Sequence, residues 1–364
     1  MNVAALRAQF PVLERVTYLN AGSVGPMPLA ATEAVEADLR RQLEDGRGGK
    51  AYFDHALALA DRLRARVAGV LSCEPWEVAL TGATTDGVNA VLGGLDLQRG
   101  DEVVTSDEEH PGVLAPLGLA HARRGVEVKV VPFSDVANAV GPRTRLVACS
   151  HVSWISGRVA DTATLAACDV PVLLDGAQAL GAVPVDVREL GCEYYAASGQ
   201  KWLCGPIGSG YLYVREDLIE DLSPAWPGYG TLSDPLRALD LPPKPGAARF
   251  DGGFPPTHQT AWALAALDAL QGPGLDAVQR YAIDLAAQLA KSLQARGLTV
   301  GARGRSTLVS WEIADPQAEI TRLLEAGFLV RDLPGTSYVR ASVGGWNLED
   351  ELERLADAAA TSRS

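Results

Sequence analysis

The amino-acid sequence predicts an α/β fold, with a mostly parallel seven-stranded sheet between layers of helices in a large domain and a smaller α+β domain at the C-terminus. From about residue 77, short apolar runs alternate with helical stretches. Many of these runs are apolar throughout, as are strands that are buried on both faces of a parallel sheet. Helical stretches such as residues 87–95 and 113–123 separate several of them, so the pattern predicts βαβ units and an open sheet.

The elements of the predicted large domain follow in chain order. Residues 27–70 are rich in alanine, leucine and arginine and predict helices, with a glycine-containing interruption at residues 45–49. A segment rich in proline and glycine, residues 223–259, is too long for a simple connection and predicts a wall of a functional site or an interface. Between them, strands are predicted at residues 78–81, 102–105, 126–131, 145–150, 170–174, 194–197 and 211–214.

The pattern beyond residue 259 predicts the smaller domain. A long helical stretch covers about residues 259–296, and short strands and helices follow it at residues 307–313, 317–325, 339–343 and 348–360. We expect residues 1–16 to join this small domain, residues 17–256 to form the large domain, and residues 257–364 to form the small domain together with part of the connecting helix.

The composition excludes several classes of function. Hydrophobic residues make up 47% of the chain, enough for a sizeable core. The 45 acidic and 32 basic residues give a net charge of −13, so no nucleic-acid partner is expected. The five cysteines contain no CxxC pair and predict no metal site, and no stretch is apolar enough for a membrane span. The N-terminal residues carry a charge and a proline where a signal peptide needs an apolar run, so we expect a soluble, cytoplasmic protein.

Lys201 differs from the other four lysines in its surroundings. It follows a predicted buried strand and precedes a glycine-containing turn, within residues 196–206. Apolar surroundings lower the pKa of a lysine, whose neutral amine can then act as the nucleophile of Schiff-base chemistry. The alternative is a lysine whose stem packs at the sheet edge while its amine reaches water. On this segment alone, both interpretations remain open.

Two further segments carry residues suited to binding a cofactor. Asp175 ends an apolar strand, at the carboxyl edge where open α/β sheets bind ligands, although an acid there is also a common helix N-cap. Thr84 and Thr85 lie at a predicted junction of strand and helix, where free backbone N–H groups and hydroxyls form an anion site suited to phosphate. The same residues also form an ordinary capping sequence.

In this order, the anion site, the strand-end acid and the lysine resemble the pyridoxal-phosphate enzymes of the class V aminotransferase and cysteine desulfurase family. The combination is far more specific than any one motif. It implies pyridoxal 5′-phosphate as the cofactor and the fold of type I pyridoxal-phosphate enzymes. The resemblance extends over nearly the whole chain, through residues 18–26, 109–111, 150–153, 175–178, 198–201, 249–253 and 340–342.

The resemblance implies a role for each matching residue. Lys201 would bind the cofactor as a Schiff base and move the proton at the substrate α-carbon, Asp175 would pair with the pyridine nitrogen, and His110 would stack on the ring. Arg340 would clamp the α-carboxylate of an L-amino acid. The other residues expected to bind the cofactor are Ala83, Thr84, Thr85, Gln178, Ser198 and Gln200, with Thr257 reaching in from the second subunit of a homodimer. The other residues expected to bind substrate are Asn20, Ser23 and Trp154.

The sequence departs from the cysteine desulfurases at two places. Those enzymes carry a nucleophilic cysteine on a loop before the substrate arginine, and here residues 331–340 contain none. Trp154 replaces an asparagine that touches substrate in the desulfurases, so we expect a reshaped pocket. Without the thiol, these departures predict a carbon–sulfur lyase that acts on a cysteine derivative by α,β-elimination, and no persulfide-forming desulfurase. The alternatives are a class V aminotransferase or an epimerase similar to isopenicillin N epimerase.

Overall fold

The computed structural model describes residues 2–254 and 256–361 of the chain. Its strands are β1 (Thr17–Tyr18), β2 (Val78–Thr81), β3 (Glu102–Ser106), β4 (Glu127–Val131), β5 (Thr144–Ser150), β6 (Val172–Asp175), β7 (Tyr194–Ser198), β8 (Gly210–Val214), β9 (Leu308–Glu312), β10 (Phe328–Leu329), β11 (Arg331–Asp332) and β12 (Tyr338–Ser342). Its α-helices are α1 (Val3–Arg7), α2 (Leu29–Asp45), α3 (Lys50–Leu71), α4 (Thr84–Gly94), α5 (Pro111–Arg124), α6 (Thr162–Ala166), α7 (Val187–Leu190), α8 (Thr257–Gln271), α9 (Leu275–Ala295), α10 (Pro316–Glu325) and α11 (Glu349–Ala360).

Within the described residues, a large sheet of seven strands has the order β2-β8-β7-β6-β5-β3-β4. Only β8 of these strands runs against its neighbours, since it pairs antiparallel with both β2 and β7 while every other pair is parallel. The predicted mostly parallel sheet is therefore confirmed. Its strands lie within about two residues of the predicted bounds, because the apolar runs that mark all of them except the exposed edge strand β4 are buried on both faces.

Alternate residues of the central strands pack into two separate layers. In β5, Val147 and Cys149 join an apolar cluster with residues of α3 and α8, whereas Leu146 and Ala148 join a cluster with residues of α4 and α5. Because successive side chains of a strand point to opposite faces, helices cover both sides of the sheet. This arrangement leaves the carboxyl ends of the parallel strands open at one edge.

The C-terminal part is the smaller α+β unit that the sequence predicts. A small antiparallel sheet of order β11-β12-β9 carries the helices α9 and α11 on an apolar cluster of its own. The single helical stretch expected over residues 259–296 is wrong, since the structure has two helices, α8 and α9, with a break at residues 272–274. The sequence Gly272-Pro273-Gly274 explains the break, because Gly274 has a φ of +87° and proline cannot continue a helix.

The N-terminal residues contact the C-terminal part. Strand β1 pairs in parallel with β10, and the Arg7 guanidinium forms an ion pair with Glu351 at 2.8 Å. Helix α8 packs against α2 and α3, so the first helix after residue 256 lies on the large sheet's side of the molecule. The division of the chain into domains at residues 16 and 256 stays a prediction.

Two negative findings concern the described residues. None of their helices combines the length and the apolar character that crossing a membrane requires. Across residues 2–254 and 256–361, no group of three His, Cys, Asp or Glu side chains is arranged to hold a metal ion.

Candidate active site

A cleft of about 220 Å³ opens at the carboxyl edge of the large sheet, where the C-terminal part meets it. The large-sheet strands β6 and β7, the start of α4 and the strands β11 and β12 all contribute to its wall. The lining residues are Gly22, Ser23, Ala83, Thr84, Thr85, His110, Trp154, Asp175, Ala177, Gln178, Ser198, Gln200, Lys201, Arg331 and Arg340.

Lys201 lies in the turn that follows β7 and faces this cleft. Hydrogen bonds from Gly199 N to Ser209 O and from Cys204 N to Lys201 O fix the turn. Burial lowers the pKa of Lys201 to about 8; the charge of Asp175 opposes this shift, and those of Arg340 and Arg331 add to it. Lys201 forms no ion pair with any described residue, so a neutral amine is accessible near physiological pH.

Asp175 ends β6 at the same edge, buried beside Lys201. Its Oδ1 accepts a hydrogen bond from Ala177 N at 2.8 Å, and its Oδ2 has no partner among the described residues. Burial raises the pKa of Asp175, while the positive charge of Lys201 and the bond from Ala177 lower it. One carboxylate oxygen is thus available to a cationic group in the cleft.

His110 is the N-cap residue of α5. Its Nδ1 accepts a hydrogen bond from Gly112 N at 3.0 Å, which places the proton of the neutral ring on Nε2. Burial, together with the charges of Lys201, Arg331 and Arg340, lowers the pKa of His110 to about 4. The ring also meets that of Trp154 edge-on, with centroids 5.1 Å apart. His110 is therefore a neutral ring held in one orientation.

The start of α4 forms an anion cradle with the end of β7. Ala83 is the N-cap residue, and the hydroxyls of Thr84 and Ser198 lie 2.5 Å apart. Gly210 allows the start of α4 to lie close against β8, because a Cβ at that position would lie 2.5 Å from the Ala83 carbonyl carbon. Free N–H groups at the start of a helix of this length, together with hydroxyls, suit a phosphate.

Two glutamines, Gln178 and Gln200, line the cleft together with Lys201. Gln178 donates from Nε2 to Gly22 O at 2.8 Å and accepts at Oε1 from the Trp202 indole at 3.2 Å. These two bonds fix its amide and leave one Nε2 hydrogen available. Gln200 accepts from Gly25 N at 2.7 Å through its backbone carbonyl, and its side-chain Oε1 is buried without a partner.

Arg340 on β12 is a buried cation without an anion. It is 1% exposed, and Nη1 donates to Trp154 O at 2.6 Å while Nε and Nη2 have no partner. Burial and the charge of Arg331 lower its pKa to about 9. Burying an unpaired charge costs several kcal/mol, so two unpaired donors at the cleft indicate a site for a ligand carboxylate.

Arg331 lines the cleft as well, although no role was predicted for it from the sequence. In the β11–β12 hairpin it is the register partner of Arg340. Its Nη1 donates to Ser23 Oγ at 3.0 Å, and Ser23 donates in turn to Asn20 Oδ1 at 2.7 Å. The turn at Pro334 and Gly335 was the available signal, because it predicts a hairpin that brings both arginines to one place.

Three predicted or considered residues lie apart from the cleft. Asn20 supports Ser23 and does not line the cleft. Thr257 is 1% exposed and donates to Asp38 Oδ2 at 2.6 Å within its own chain, so its predicted role in a neighbouring site stays a prediction. Cys204 is buried, and burial raises the pKa of its thiol. No described cysteine lines the cleft.

Comparison with known proteins identifies the family. A model of the family described as Aminotransferase class-V matches residues 18–355. The chain belongs to the class-V aminotransferase family. Members similar to it include proteins named cysteine desulfurase, from Klebsiella pneumoniae (32% identity over 97% of this chain and 96% of the relative) and from Cronobacter sakazakii (30% identity over 96% and 95%).

A solved structure of high similarity is described as the complex between the cystine C-S lyase C-DES and its reaction product cysteine persulfide. It shares 30% identity with this class-V family member, has a TM-score of 0.90, and covers 97% of this chain and 99% of its own. The predicted fold type I of pyridoxal-phosphate enzymes is thereby confirmed, and this class-V family member is a pyridoxal-phosphate-dependent enzyme.

The cleft of this class-V family member fits the cofactor. Lys201 can bind the aldehyde, the free Oδ2 of Asp175 can pair with the ring nitrogen, and the cradle at Thr84 suits the phosphate. Gln200 Oε1, buried without a partner, is a further polar atom left for a bound group. The roles of the individual residues stay predictions, but the structure brings every one of these groups into a single cleft.

The function expected from the sequence, a lyase that forms no persulfide, is wrong for this class-V family member. Its curated relatives are named cysteine desulfurase, and the complex of C-DES contains cysteine persulfide as the reaction product. The expectation relied on the missing loop cysteine. The C-DES complex shows why that criterion fails, because its persulfide is carried by a product molecule.

The covalent loading of Lys201 with pyridoxal 5′-phosphate is expected to accelerate about tenfold per pH unit up to about pH 8 and to level off above it. Below its pKa of about 8, the amine of Lys201 carries a proton and cannot attack the aldehyde. Stopped-flow absorbance of the apoprotein at saturating cofactor measures this rate. In Asp175→Asn the midpoint moves to lower pH, because the charge of Asp175 raises the pKa of Lys201. A midpoint above pH 10, as for an exposed lysine, contradicts the assignment.

Proposed function

We propose that this enzyme is a desulfurase that cleaves the carbon–sulfur bond of L-cysteine or of its disulfide L-cystine and delivers the sulfur as a persulfide. The observation that carries the proposal is the pair of arginines beside Lys201. Arg340 has two buried donors without a partner, and Arg331 forms no ion pair among the described residues. The names of the relatives support the same chemistry.

L-cystine is the substrate that fits both arginines. It carries two α-carboxylates, one at each end of the disulfide, and each can accept hydrogen bonds from one guanidinium. The cleft also has no thiol among its lining residues, so the second sulfur of the persulfide has to come from outside the described chain. In L-cystine the substrate itself supplies that sulfur.

Each residue of the cleft is assigned a separate role in the proposed reaction. When bound, the cofactor supplies an electron sink for the electrons that remain on the substrate α-carbon. Arg340 orients the substrate through its α-carboxylate, and Asp175 holds the proton of the ring nitrogen with its free Oδ2. Lys201 takes the proton from the α-carbon as a neutral amine, which its lowered pKa permits. Trp154 and His110 line the same cleft, with their rings in edge-on contact.

The atoms of the reaction with L-cystine balance without a further reactant except water. The α-proton is removed, the bond between Cβ and sulfur breaks, and its electron pair leaves with the sulfur. The leaving group takes up a proton as cysteine persulfide. The three-carbon remainder takes up water and leaves as pyruvate and ammonia.

Product analysis of the cofactor-loaded enzyme tests the proposal. With L-cystine and no added thiol, we expect pyruvate and persulfide in equal amounts, the persulfide being measured by its reaction with cyanide. Lys201→Ala serves as the blank. Pyruvate without persulfide, or no turnover of L-cystine or L-cysteine, contradicts the proposal. Alanine and persulfide from L-cysteine, without turnover of L-cystine, keep the desulfurase and overturn the preference for the disulfide.

Arg331→Gln is expected to raise the KM for L-cystine by about 10- to 100-fold and the KM for L-cysteine by less than about threefold. A hydrogen bond to a charged group contributes about 1.5–3 kcal/mol, and only L-cystine has a second carboxylate for Arg331 to bind. Initial rates with both substrates measure the split. Arg305→Gln, at an exposed arginine outside the cleft, is the matched control. Equal increases for both substrates would place Arg331 at the first carboxylate.

We further propose that the enzyme is a homodimer in the cytoplasm. Apolar side chains of the segment around residues 223–254 support the dimer, because Leu236 is 97% exposed and Leu239 is 100% exposed. The ring of Phe254 also meets that of Phe53 on α3 at 5.7 Å, which extends this surface to the helices. Sedimentation of the purified protein at several concentrations tests it, and a monomer at all of them contradicts the dimer.

A further inference from the structure

Glu109 carries a buried carboxyl group that lies beside two predicted cofactor-binding elements, the turn with His110 and the strand end with Asp175. It lies in the turn from β3 to α5, directly before His110, and is 4% exposed. Three donors hold its carboxylate: Ser106 Oγ at Oε1, Ser150 N at Oε1 (2.9 Å) and Ser150 Oγ at Oε2 (2.6 Å). Burying a carboxylate costs desolvation free energy even when hydrogen-bond donors surround it. A buried acid at this position is therefore expected to have a specific role.

The partner of Glu109 is linked to Asp175. Ser150 ends β5 and is the register partner of Asp175 on β6, and the next residue, His151, donates from its backbone N to Asp175 O at 2.9 Å. Glu109 therefore connects, through its own backbone, to His110, and through Ser150 to the strand end that carries Asp175. Burial raises the pKa of Glu109 to about 7, hydrogen bonds from Ser106 and Ser150 lower it, and the charge of Asp175 raises it further.

We propose that Glu109 is a positioning residue that holds the turn carrying His110 against the strand end carrying Asp175. The residue that stacks on the cofactor ring and the residue that pairs with the ring nitrogen then keep a fixed relative position. The proposal rests on the roles of His110 and Asp175 given above. Glu109 acts through the hydrogen bonds that Ser106 and Ser150 donate to it, and it does not contact the substrate. Glu109 is absent from the residues that line the cleft.

The same two strands supply a matched control at their other end. Glu102 and Thr144 are register partners of β3 and β5, and Thr144 Oγ1 donates to Glu102 Oε1 at 2.8 Å. Glu102 is 8% exposed, so it is a buried acid in a similar clamp. It lies at the amino ends of the strands, away from the cleft. A substitution of Glu102 therefore tests the effect of strand stability without disturbing the residues expected at the cofactor ring.

The experiment compares cofactor binding in Glu109→Ala, Glu109→Gln and Glu102→Ala. For Glu109→Ala we expect at least a tenfold rise in the Kd for pyridoxal 5′-phosphate, measured by fluorescence quenching, and a weaker circular dichroism band per bound cofactor. Glu109→Gln, whose amide keeps the size and an acceptor, restores both to within threefold. Glu102→Ala lowers the melting temperature but leaves the Kd within threefold and the dichroism band unchanged.

Each remaining outcome overturns the inference. Wild-type Kd and dichroism in Glu109→Ala show that no clamp acts, and equal losses in Glu109→Ala and Glu102→Ala show a structural role alone. If Glu109→Ala does not fold, Ser150→Ala removes one hydrogen bond and should raise the Kd by at least threefold, whereas a wild-type Kd contradicts the clamp. His110→Ala and Asp175→Ala tell the two proposals apart: if both keep the wild-type Kd, the roles of these residues fail, independently of Glu109.

Discussion

Lys201→Ala is expected to lower the turnover number by at least about a thousandfold, while the protein keeps its fold and loses the absorbance of the covalently bound cofactor. General acid–base catalysis contributes about 10²- to 10⁴-fold, and Lys201 is the amine in the cleft whose pKa, lowered to about 8, gives it a neutral fraction near physiological pH. Steady-state rates with L-cystine, an absorbance spectrum and a far-ultraviolet dichroism spectrum measure the three quantities. Retained turnover contradicts the assignment of Lys201.

Lys129→Ala is the matched control for this prediction. Lys129 lies on the edge strand β4, where its Nζ donates to the Ala139 carbonyl at 2.7 Å. It does not line the cleft, so its loss should leave both the turnover number and the cofactor spectrum unchanged. A second variant, Lys201→Arg, keeps a positive charge beside Asp175 but cannot form the covalent bond. It should be as inactive as Lys201→Ala, and substantial turnover would show that charge alone suffices.

Arg340→Lys is expected to lower kcat/KM for L-cystine by about 10- to 100-fold. The guanidinium of Arg340 donates to Trp154 O and keeps two further donors free for a carboxylate, and a lysine amine cannot reproduce this fork. The loss of one hydrogen bond to a charged group corresponds to about 1.5–3 kcal/mol. The measurement compares L-cystine with cystamine, which lacks both carboxylates, and the preference for L-cystine should fall in the variant by the same factor.

Arg303→Lys is the control for Arg340→Lys. Arg303 is half-buried and, like Arg340, donates to a backbone carbonyl, Leu308 O at 3.0 Å, but it lies outside the cleft. This variant should keep kcat/KM within about twofold. If Arg340→Lys retains the full preference for L-cystine over cystamine, the carboxylate is bound elsewhere.

Much of the fold could be predicted from local sequence, because strands that are buried on both faces of a parallel sheet appear in the sequence as continuous apolar runs. The helix break at residues 272–274 was missed for a related reason. Apolar residues continue on both sides of Gly272-Pro273-Gly274 with the period of a helix, and this periodicity concealed the stop signal that the glycines and the proline provide.

The candidate site was predictable where its residues follow directly from strand ends. Lys201, Asp175 and Thr84 come after or beside strands of one parallel sheet, whose carboxyl ends meet at one edge. Arg331 and Glu109 were not predictable in this way, because their positions depend on the register of a hairpin and on the partner strand. The chemistry was misjudged as well, since the absence of a cysteine in residues 331–340 says nothing about a second sulfur atom that a substrate brings.

The parallel pair of β1 and β10 has a consequence for the biosynthesis of the enzyme. Leu19 N donates to Leu329 O at 3.0 Å and Leu19 O accepts from Ser342 N at 2.7 Å, so the loop of residues 20–25, which contains Ser23, is held by the last strands of the chain. On the ribosome, this loop is made among the first segments and waits for partners that emerge near the end of translation. A nascent chain that stops before β10 has Lys201 and Asp175 but neither arginine, so the proposed substrate site is complete only after nearly all of the polypeptide has been synthesised.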